Sequence, residues 1–148
     1  MKLKEIKGDL KQALELVWRV FLEYEATFYT KQGIDTFHSF ISDKDKMNLL
    51  TFYGMYDKNK LIGVIATRNN GNHIALFFVD GEYHKKGIGK CLFQKVLENA
   101  TSNEITVNSS VYAVEVYHKL GFVDTDKEQI EDGIICTPMK LYIKTQEK

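Results

Sequence analysis

A loop with two glycines lies between a strand-like segment and a helical segment, and it constrains the fold more than any other feature of the sequence. The loop spans residues 80–90 and contains Gly87 and Gly89. An apolar run at 74–79 precedes it, and the apolar residues that follow recur with helical spacing, at 88, 92, 93, 96 and 97. The first amides of a helix have no partners within the helix and lie at the positive end of its dipole. The order of strand, glycine loop and helix therefore points to an anion site, with a plain tight connection as the alternative.

The residues of the loop favour a phosphate as that anion. Gly87 and Gly89 carry no Cβ atom that would hold a phosphate away from the amides. Three lysines add positive charge to the same turn, namely Lys85, Lys86 and Lys90.

Two common nucleotide-binding motifs do not fit the loop. A P-loop requires a glycine where His84 stands and a serine or threonine where Cys91 stands. A dinucleotide fingerprint requires a third glycine, and Leu92 occupies its place. A nucleotide-phosphate binder that uses the same glycine turn in another way stays open as a rival.

Periodicity and turn residues predict the other elements. We expect a strand at 3–7, a helix from about Asp9, a shorter helix at 34–41, strands at 49–56, 61–68 and 74–79 in an antiparallel meander, a strand at 104–107, a helix between Ser110 and Gly121, and a closing strand at 133–143. The charges at 42–46 indicate a solvated loop. We expect six side chains of the first helix and of the segment that follows it to lie in the core, namely Leu10, Leu14, Val17, Trp18, Phe21 and Phe28.

Composition limits the class of protein. The 148 residues suit one domain, which we expect to span 1–148. Twenty Lys and Arg balance twenty Asp and Glu, which argues against partners such as nucleic acid or an anionic membrane. Neither a membrane-spanning run of about 20 apolar residues nor a secretory signal is visible, so we expect a cytoplasmic protein. Cys91 and Cys136 lie in apolar patterns, which favours buried free thiols and no metal site.

A later segment gives the loop a specific meaning. The run at 104–107 leads to Asn108, and the helix after it ends in the sequence Tyr-His-Lys-Leu-Gly-Phe at 117–122. Together with the loop, these residues resemble the GNAT superfamily of N-acetyltransferases, whose loop pattern is Q/R-x-x-G-x-G/A. The residues from His84 to Gly89 follow that pattern, with His84 in place of Gln or Arg. The resemblance is specific over 61–122 and looser towards both ends.

The resemblance implies an α/β (α+β) fold of the GNAT-like acyl-CoA N-acyltransferase type. One domain would contain a central, mixed, mostly antiparallel twisted sheet flanked by about four helices. The implied co-substrate is acetyl-CoA, without a metal. Its pyrophosphate would bind the backbone of Lys85, Lys86, Gly87, Ile88, Gly89 and Lys90.

The resemblance also assigns the rest of the cofactor site. The pantetheine arm would pair with the backbone of Phe78 and Val79, and the Val79 N–H would stabilise the oxyanion. Asn108 would support the arm or the helix start. His84 is shorter than Gln or Arg and titrates near neutral pH, so we expect it to weaken cofactor binding without abolishing it.

The implied reaction is acetyl transfer from acetyl-CoA to a primary amine of a small molecule or peptide, by direct attack on the thioester. Tyr117 would protonate the departing thiolate. The base stays open among Glu25, His38, His73 and Asp80. One wall of the acceptor pocket would come from Glu23, Glu25, Phe28, Tyr29 and Phe37. A homodimer stays open, and so does a non-catalytic acyl-CoA-binding or regulatory module with the same fold.

Overall fold

A central sheet of eight strands runs through the structure, a computed structural model that describes residues 1–143. The strands are β1 (Lys2–Ile6), β2 (Thr51–Asp57), β3 (Lys60–Arg68), β4 (His73–Val79), β5 (Glu104–Ser109), β6 (Val123–Asp124), β7 (Gln129–Glu131) and β8 (Ile134–Tyr142). The helices are α1 (Lys11–Val20), α2 (Lys31–Ser42), α3 (Lys44–Asn48), α4 (Ile88–Asn99) and α5 (Val114–Leu120). The strand order is β1-β2-β3-β4-β5-β8-β6, and β7 pairs with β8 beside this path. Only β4 and β5 run parallel among these described strands, so the expected α/β fold with a mixed, mostly antiparallel sheet is confirmed.

The predicted meander is formed by β2, β3 and β4. Asp57 pairs with Lys60 across a two-residue turn. Lys58 and Asn59 in that turn have φ angles of 48° and 70°, which matches the left-handed turns that join twisted antiparallel strands. Strand β3 is buried at every position except its two ends. The centre of the sheet must therefore be covered on both faces.

Helices on the two faces of the sheet provide this cover. Ile62 and Ile65 of β3 join one core cluster, to which α4 contributes Leu92. Val64 and Ala66 point the other way and pack in a second cluster with residues of α1, α2 and α3. Side chains of a strand alternate between faces, so β3 supplies both cores.

Strands β4 and β5 separate after a short parallel contact. Their paired positions are His73 with Thr106 and Ile74 with Val107. Beyond Ile74, β4 continues to Val79 beside β3 alone, while β5 continues beside β8. The backbone of β4 facing β5 is thus free over its second half. This divergence opens a gap in the middle of the sheet.

The second helix is longer than the sequence suggested. It was predicted at 34–41 and as shorter than the first, whereas α2 has 12 residues and α1 has 10. The Thr30 hydroxyl accepts a hydrogen bond from the Gly33 N–H at 3.3 Å and caps the helix one turn earlier. The first helix begins slightly late, because Leu10 and not Asp9 occupies its cap position.

The prediction of a solvated loop at 42–46 is wrong. The Asp43 carboxylate accepts a hydrogen bond from the Lys46 N–H at 3.1 Å and caps helix α3. Met47 of this helix is 1% exposed and holds it against the core. The charged side chains lie on the exposed face of one short turn, where they conceal its helical character in the sequence.

Two expectations about burial are also wrong. Cys91 is exposed on α4, and Cys136 is half-buried on β8, so neither is a buried core thiol. Phe28 is 44% exposed, because it follows α1 in a short turn that has left the core. Val17 and Phe21 are buried as expected. The helix predicted between Ser110 and Gly121 begins later than expected, because residues 111–113 form a turn and Ala113 occupies the cap position of α5. The other predicted elements begin within two residues of their positions in the structure.

The contact between β4 and β5 depends on a neutral histidine. The buried ring of His73 lies 2.7 Å from the Thr106 hydroxyl through Nδ1, and burial, assisted by Arg68, lowers its pKa to about 4. An unfolded histidine titrates near 6.5. Between these values only the unfolded chain binds the proton, so stability falls as the pH decreases from about 6.5 to 4.

We therefore expect a His73→Gln variant to lose less stability on acidification than the parent chain. Urea unfolding at pH 6.5 and pH 4.5 measures the difference. An equal loss in both proteins would show that His73 does not couple the β4–β5 contact to pH.

Candidate active site

The gap between β4 and β5 contains a cavity of about 1080 Å³. Its walls come from the α1–α2 segment, α2, the second half of β4, the end of β5, α5 and the β7–β8 turn. Among the lining residues are Phe21, Glu25, Tyr29, Phe37, Phe78, Asn108, Ser110, Tyr117 and Cys136. Of the expected acceptor wall, Glu25, Tyr29 and Phe37 line this cavity, whereas Glu23 and Phe28 do not.

Tyr117 lies on α5 at the floor of the cavity. Its side chain is 5% exposed, and its ring packs against Phe77 and Phe122 with centroids 6.1 and 5.3 Å away. Burial, together with the charge of Glu25, raises the pKa of the phenol far above its ordinary value. Tyr117 is therefore a neutral hydrogen-bond donor near neutral pH.

Glu25 reaches the same cavity from the other face of the sheet. It is 8% exposed and ends a π-helical turn, Phe21–Glu25, that extends α1. Such turns occur often at functional sites, since they redirect a side chain without ending the helix. Burial raises the pKa of Glu25 to about 7, although a hydrogen bond with the Ser110 side chain opposes the shift. Near neutral pH this carboxylate can both accept and release a proton.

The other three base candidates lie elsewhere. His73 is bonded to Thr106 at the start of β4, and His38 packs its ring against Trp18 at 4.7 Å. Burial alone would raise the pKa of Asp80, but the Glu82 N–H and Arg19 lower it below its ordinary value. None of the three lines the cavity that Tyr117 occupies.

The glycine loop lies outside that cavity, at the start of α4. Gly87 has a φ of 80°, and a Cβ built on it would meet no atom within 4 Å. Lys85 is also left-handed, with a φ of 63°. The loop therefore leaves open space at the start of α4, a helix of 12 residues whose first amides have no partners within the helix. This geometry fits a phosphate group.

His84 is bound to the strand beside the loop. Its Nε2 lies 2.7 Å from the Val79 carbonyl oxygen, and since a carbonyl can only accept, the Nε2–H donates. Its ring also packs beside that of Tyr24, with centroids 4.9 Å apart. His84 therefore connects the loop to β4.

The two expected pantetheine-binding residues have different backbone directions. The Asp80 N–H donates a hydrogen bond to the Ile62 carbonyl of β3 at 2.8 Å, so this backbone N–H faces β3. The N–H and C=O groups of successive residues in a strand point to opposite sides. The backbone groups of Phe78 therefore also face β3, and those of Val79 face the gap. Val79 is thus available to a ligand in the gap through its N–H, and Phe78 contributes its side chain to the cavity wall.

Many lining residues were not predicted as site residues from the sequence, among them Ser110, Asp132 and Cys136. Ser110 was expected only at a helix start, and its Oγ does accept a bond from the Ala113 N–H at 3.3 Å. Cys136 and Asp132 enter the lining because β8 folds back along β5. Only the tertiary fold shows this proximity, and no local motif marks it.

Two negative findings concern residues 1–143. No group of three or more His, Cys, Asp or Glu side chains in this part of the chain could hold a metal ion. No helix in the same range has the length and apolar character needed to cross a membrane.

Comparison with known proteins places this geometry in a family. The model of the acetyltransferase (GNAT) domain matches residues 25–143. Peptidyl-lysine N-acetyltransferase YjaB of Salmonella typhimurium is 25% identical over 112 residues, which are 69% of this chain and 77% of that protein.

Solved structures show the same fold. A GCN5-related N-acetyltransferase from Rhodopseudomonas palustris has a TM-score of 0.80 at 16% identity, with 96% of this chain and 95% of that chain covered. The PaiA N-acetyltransferase from Thermoplasma acidophilum, in complex with coenzyme A, has a TM-score of 0.73 at 21% identity, with 96% and 99% covered. The chain, with its glycine loop, divided sheet and buried tyrosine, belongs to the GNAT acetyltransferase family.

Proposed function

We propose that this protein transfers an acetyl group from acetyl-CoA to a primary amine by direct attack in a ternary complex. One observation carries the proposal: a carboxyl group that can accept a proton near pH 7, Glu25, and a phenol that stays protonated and can donate a hydrogen bond, Tyr117, line a single cavity where β4 and β5 diverge. A module that only binds acyl-CoA would need neither group there.

The acetyl-CoA site follows from the loop and the free edge of β4. The amides of residues 85–90 bind the pyrophosphate, helped by Lys85, Lys86 and Lys90, and the Val79 N–H faces the arm that carries the thioester. Asn108 borders the cavity from the end of β5. The thioester carbonyl then lies between the backbone of β4 and the start of α5, with acetyl-CoA supplying an activated acetyl group.

The acceptor amine arrives as an ammonium, since the pKa of an alkylamine is about 10. The cavity lining contains Asp35, Asp43, Glu131 and Asp132 besides Glu25, against Lys46 and Arg68, which favours a cation. Glu25 accepts the proton from the ammonium, and the free amine attacks the carbonyl carbon. The new C–N bond forms as the C–S bond breaks, and the second proton of the nitrogen passes to the departing thiolate, so that CoA leaves as the free thiol. Glu25 returns its proton to solvent.

Tyr117 acts on the departing sulfur. The pKa of a thiol is about 8.5, and that of the buried phenol lies far above it. Full proton transfer from Tyr117 is therefore uphill, and the phenol stabilises the thiolate mainly by donating a hydrogen bond. We therefore expect no alkaline limb of kcat from loss of the Tyr117 proton.

The loop is tested by Gly87→Val with Gly8→Val as its matched control. Both glycines have left-handed φ angles, 80° and 85°, and open space around them, but only Gly87 lies at the start of α4. Gly87→Val should weaken CoA binding at least tenfold, about 1.4 kcal/mol, by calorimetry. Gly8→Val should bind CoA like the parent.

Equal binding of ATP and CoA by the parent would favour the nucleotide-phosphate rival.

The base is tested by Glu25→Gln, with Glu23→Gln as a control in the same turn. Without the carboxylate, kcat should fall by about 10²-fold, and the rise of kcat/KM through pH 7 should disappear. Acetylation is followed through the free CoA thiol. A variant that keeps both the rate and the pH profile would exclude Glu25 as the base.

The stability of Glu25→Gln shows whether its loss of activity is caused by a folding defect. In the parent, Glu25 binds a proton in the folded state up to pH 7 and in the unfolded chain only up to about 4.5. Stability therefore falls by about 3 kcal/mol from this group as the pH rises through that interval. Glu25→Gln lacks this loss and should be the more stable protein at pH 8.

The tyrosine is tested by Tyr117→Phe, which keeps the ring packing. We expect kcat to fall between about tenfold and 10²-fold, while the dissociation constant for CoA stays constant. Tyr142→Phe, at an exposed position of β8, is the control. Parental turnover by Tyr117→Phe on its true acceptor would show that the phenol does not assist the departing thiolate and that Tyr117 has only a packing role in α5.

A further inference from the structure

Two distant segments of the chain meet above the cavity. The Thr36 hydroxyl of α2 donates a hydrogen bond to the Asp132 carbonyl of the β7–β8 turn at 2.7 Å. Beside it, Gly33 and Gly133 lie backbone to backbone. A Cβ on Gly33 would come within 2.8 Å of the Gly133 carbonyl carbon. We call this contact, formed by Gly33, Thr36, Asp132 and Gly133, the bridge.

The bridge spans the cavity at one place. Thr36 and Asp132 belong to the cavity lining, as do further residues of α2 and of the β7–β8 turn. Where the four bridge residues touch, the two walls leave no passage between them. A ligand that reaches Glu25 must therefore enter at another part of the opening.

We infer that the bridge restricts the acceptor to a slender small-molecule amine that enters end-on, and excludes a polypeptide segment lying through the cleft. A peptide groove needs an entry and an exit on opposite sides of the reacting nitrogen, and contact between α2 and the turn removes one of them. An unbranched alkylamine needs only a narrow channel. The inference rests on the proposed function and chooses between its two kinds of acceptor.

The two cysteines of the chain can be used to measure how enclosed the cavity is. The Cys136 side chain lines the cavity from β8, and Cys91 is exposed on α4, far from the bridge in the fold. Burial raises the pKa of Cys136, which slows every thiol reagent at this residue alike. Comparing a small and a bulky reagent in one molecule therefore isolates access from reactivity.

Labelling with methyl methanethiosulfonate and with the uncharged, bulky N-(1-pyrenyl)maleimide tests the enclosure without any acetyl transfer. We expect the rate at Cys136 relative to Cys91 to fall at least about tenfold from the small to the bulky reagent. An equal ratio for both reagents would overturn the inference.

Variants of the bridge residues test whether this contact causes the enclosure of Cys136. Gly33→Ala forces the two walls apart and should restore labelling of Cys136 by the maleimide. Thr36→Val, which removes only the hydrogen bond, should do so to a smaller extent. Lys31→Ala, an exposed position of the same helix, should label like the parent. Unchanged labelling in folded Gly33→Ala and Thr36→Val would show that the bridge is not the barrier.

A matched acceptor pair tests the consequence. The parent should acetylate 1,5-diaminopentane with a kcat/KM at least about tenfold above that for a nine-residue peptide with blocked ends and a central lysine. Gly33→Ala should lower the ratio of kcat/KM for the diamine to kcat/KM for the peptide. Equal use of both acceptors refutes the inference and leaves the proposed function intact. Enclosure of Cys136 without acetylation of any amine refutes the proposed function and leaves the enclosure standing.

Discussion

The separation of β4 from β5 is the constraint on which the rest of this structure depends. A parallel strand pair normally exchanges hydrogen bonds along its length, but here the pairing ends at Ile74 and Val107. The backbone of β4 beyond this point would be costly to bury without partners. A bound ligand with amide groups can provide them, so the gap that weakens the sheet also defines a binding site. The His73–Thr106 contact closes the gap at its narrow end, and the β7–β8 turn and α2 border its wide end.

The gap also brings together side chains from opposite faces of the sheet. Glu25 arrives on the α1 side and Tyr117 on the α4 side, and they interact only because no strand separates them. Burial raises the pKa of both, yet with different consequences. It gives Glu25 a pKa near 7, which suits the role of base that we propose, and it keeps Tyr117 protonated, as the proposed hydrogen bond to the departing sulfur requires. A buried carboxylate costs stability, and the well-packed clusters on both faces offset that cost.

The sequence predicted the parts of this site that depend on local patterns. Gly87 and Gly89 marked the helix start, and Tyr117 was found through the residues around it in the helix from Val114 to Leu120. Helix α3 was missed because one turn presents too few apolar residues to show a period, and Met47 alone carries its contact with the core. The bridge could not be predicted at all, since Thr36 and Asp132 are 96 residues apart and their contact depends on how β8 folds back. The base illustrates both cases: Glu25 was one of four candidates, and only its burial in the cavity separated it from the others.

His84 shows how one substitution in the loop changes its connection to the sheet. A Gln or Arg at this position has a long polar side chain that can reach a phosphate, whereas the imidazole of His84 is short and donates to the Val79 carbonyl. In the proposed function, phosphate binding then falls to the backbone amides around Gly87 and to the lysines, which the substitution does not alter. In return, His84 fixes the peptide group that faces the gap, two residues beyond Phe77 and its contact with Tyr117. This hydrogen bond adds to the covalent connection between the strand and the loop, and it holds the first part of the loop beside the free edge of β4, where the proposed pantetheine arm would bind.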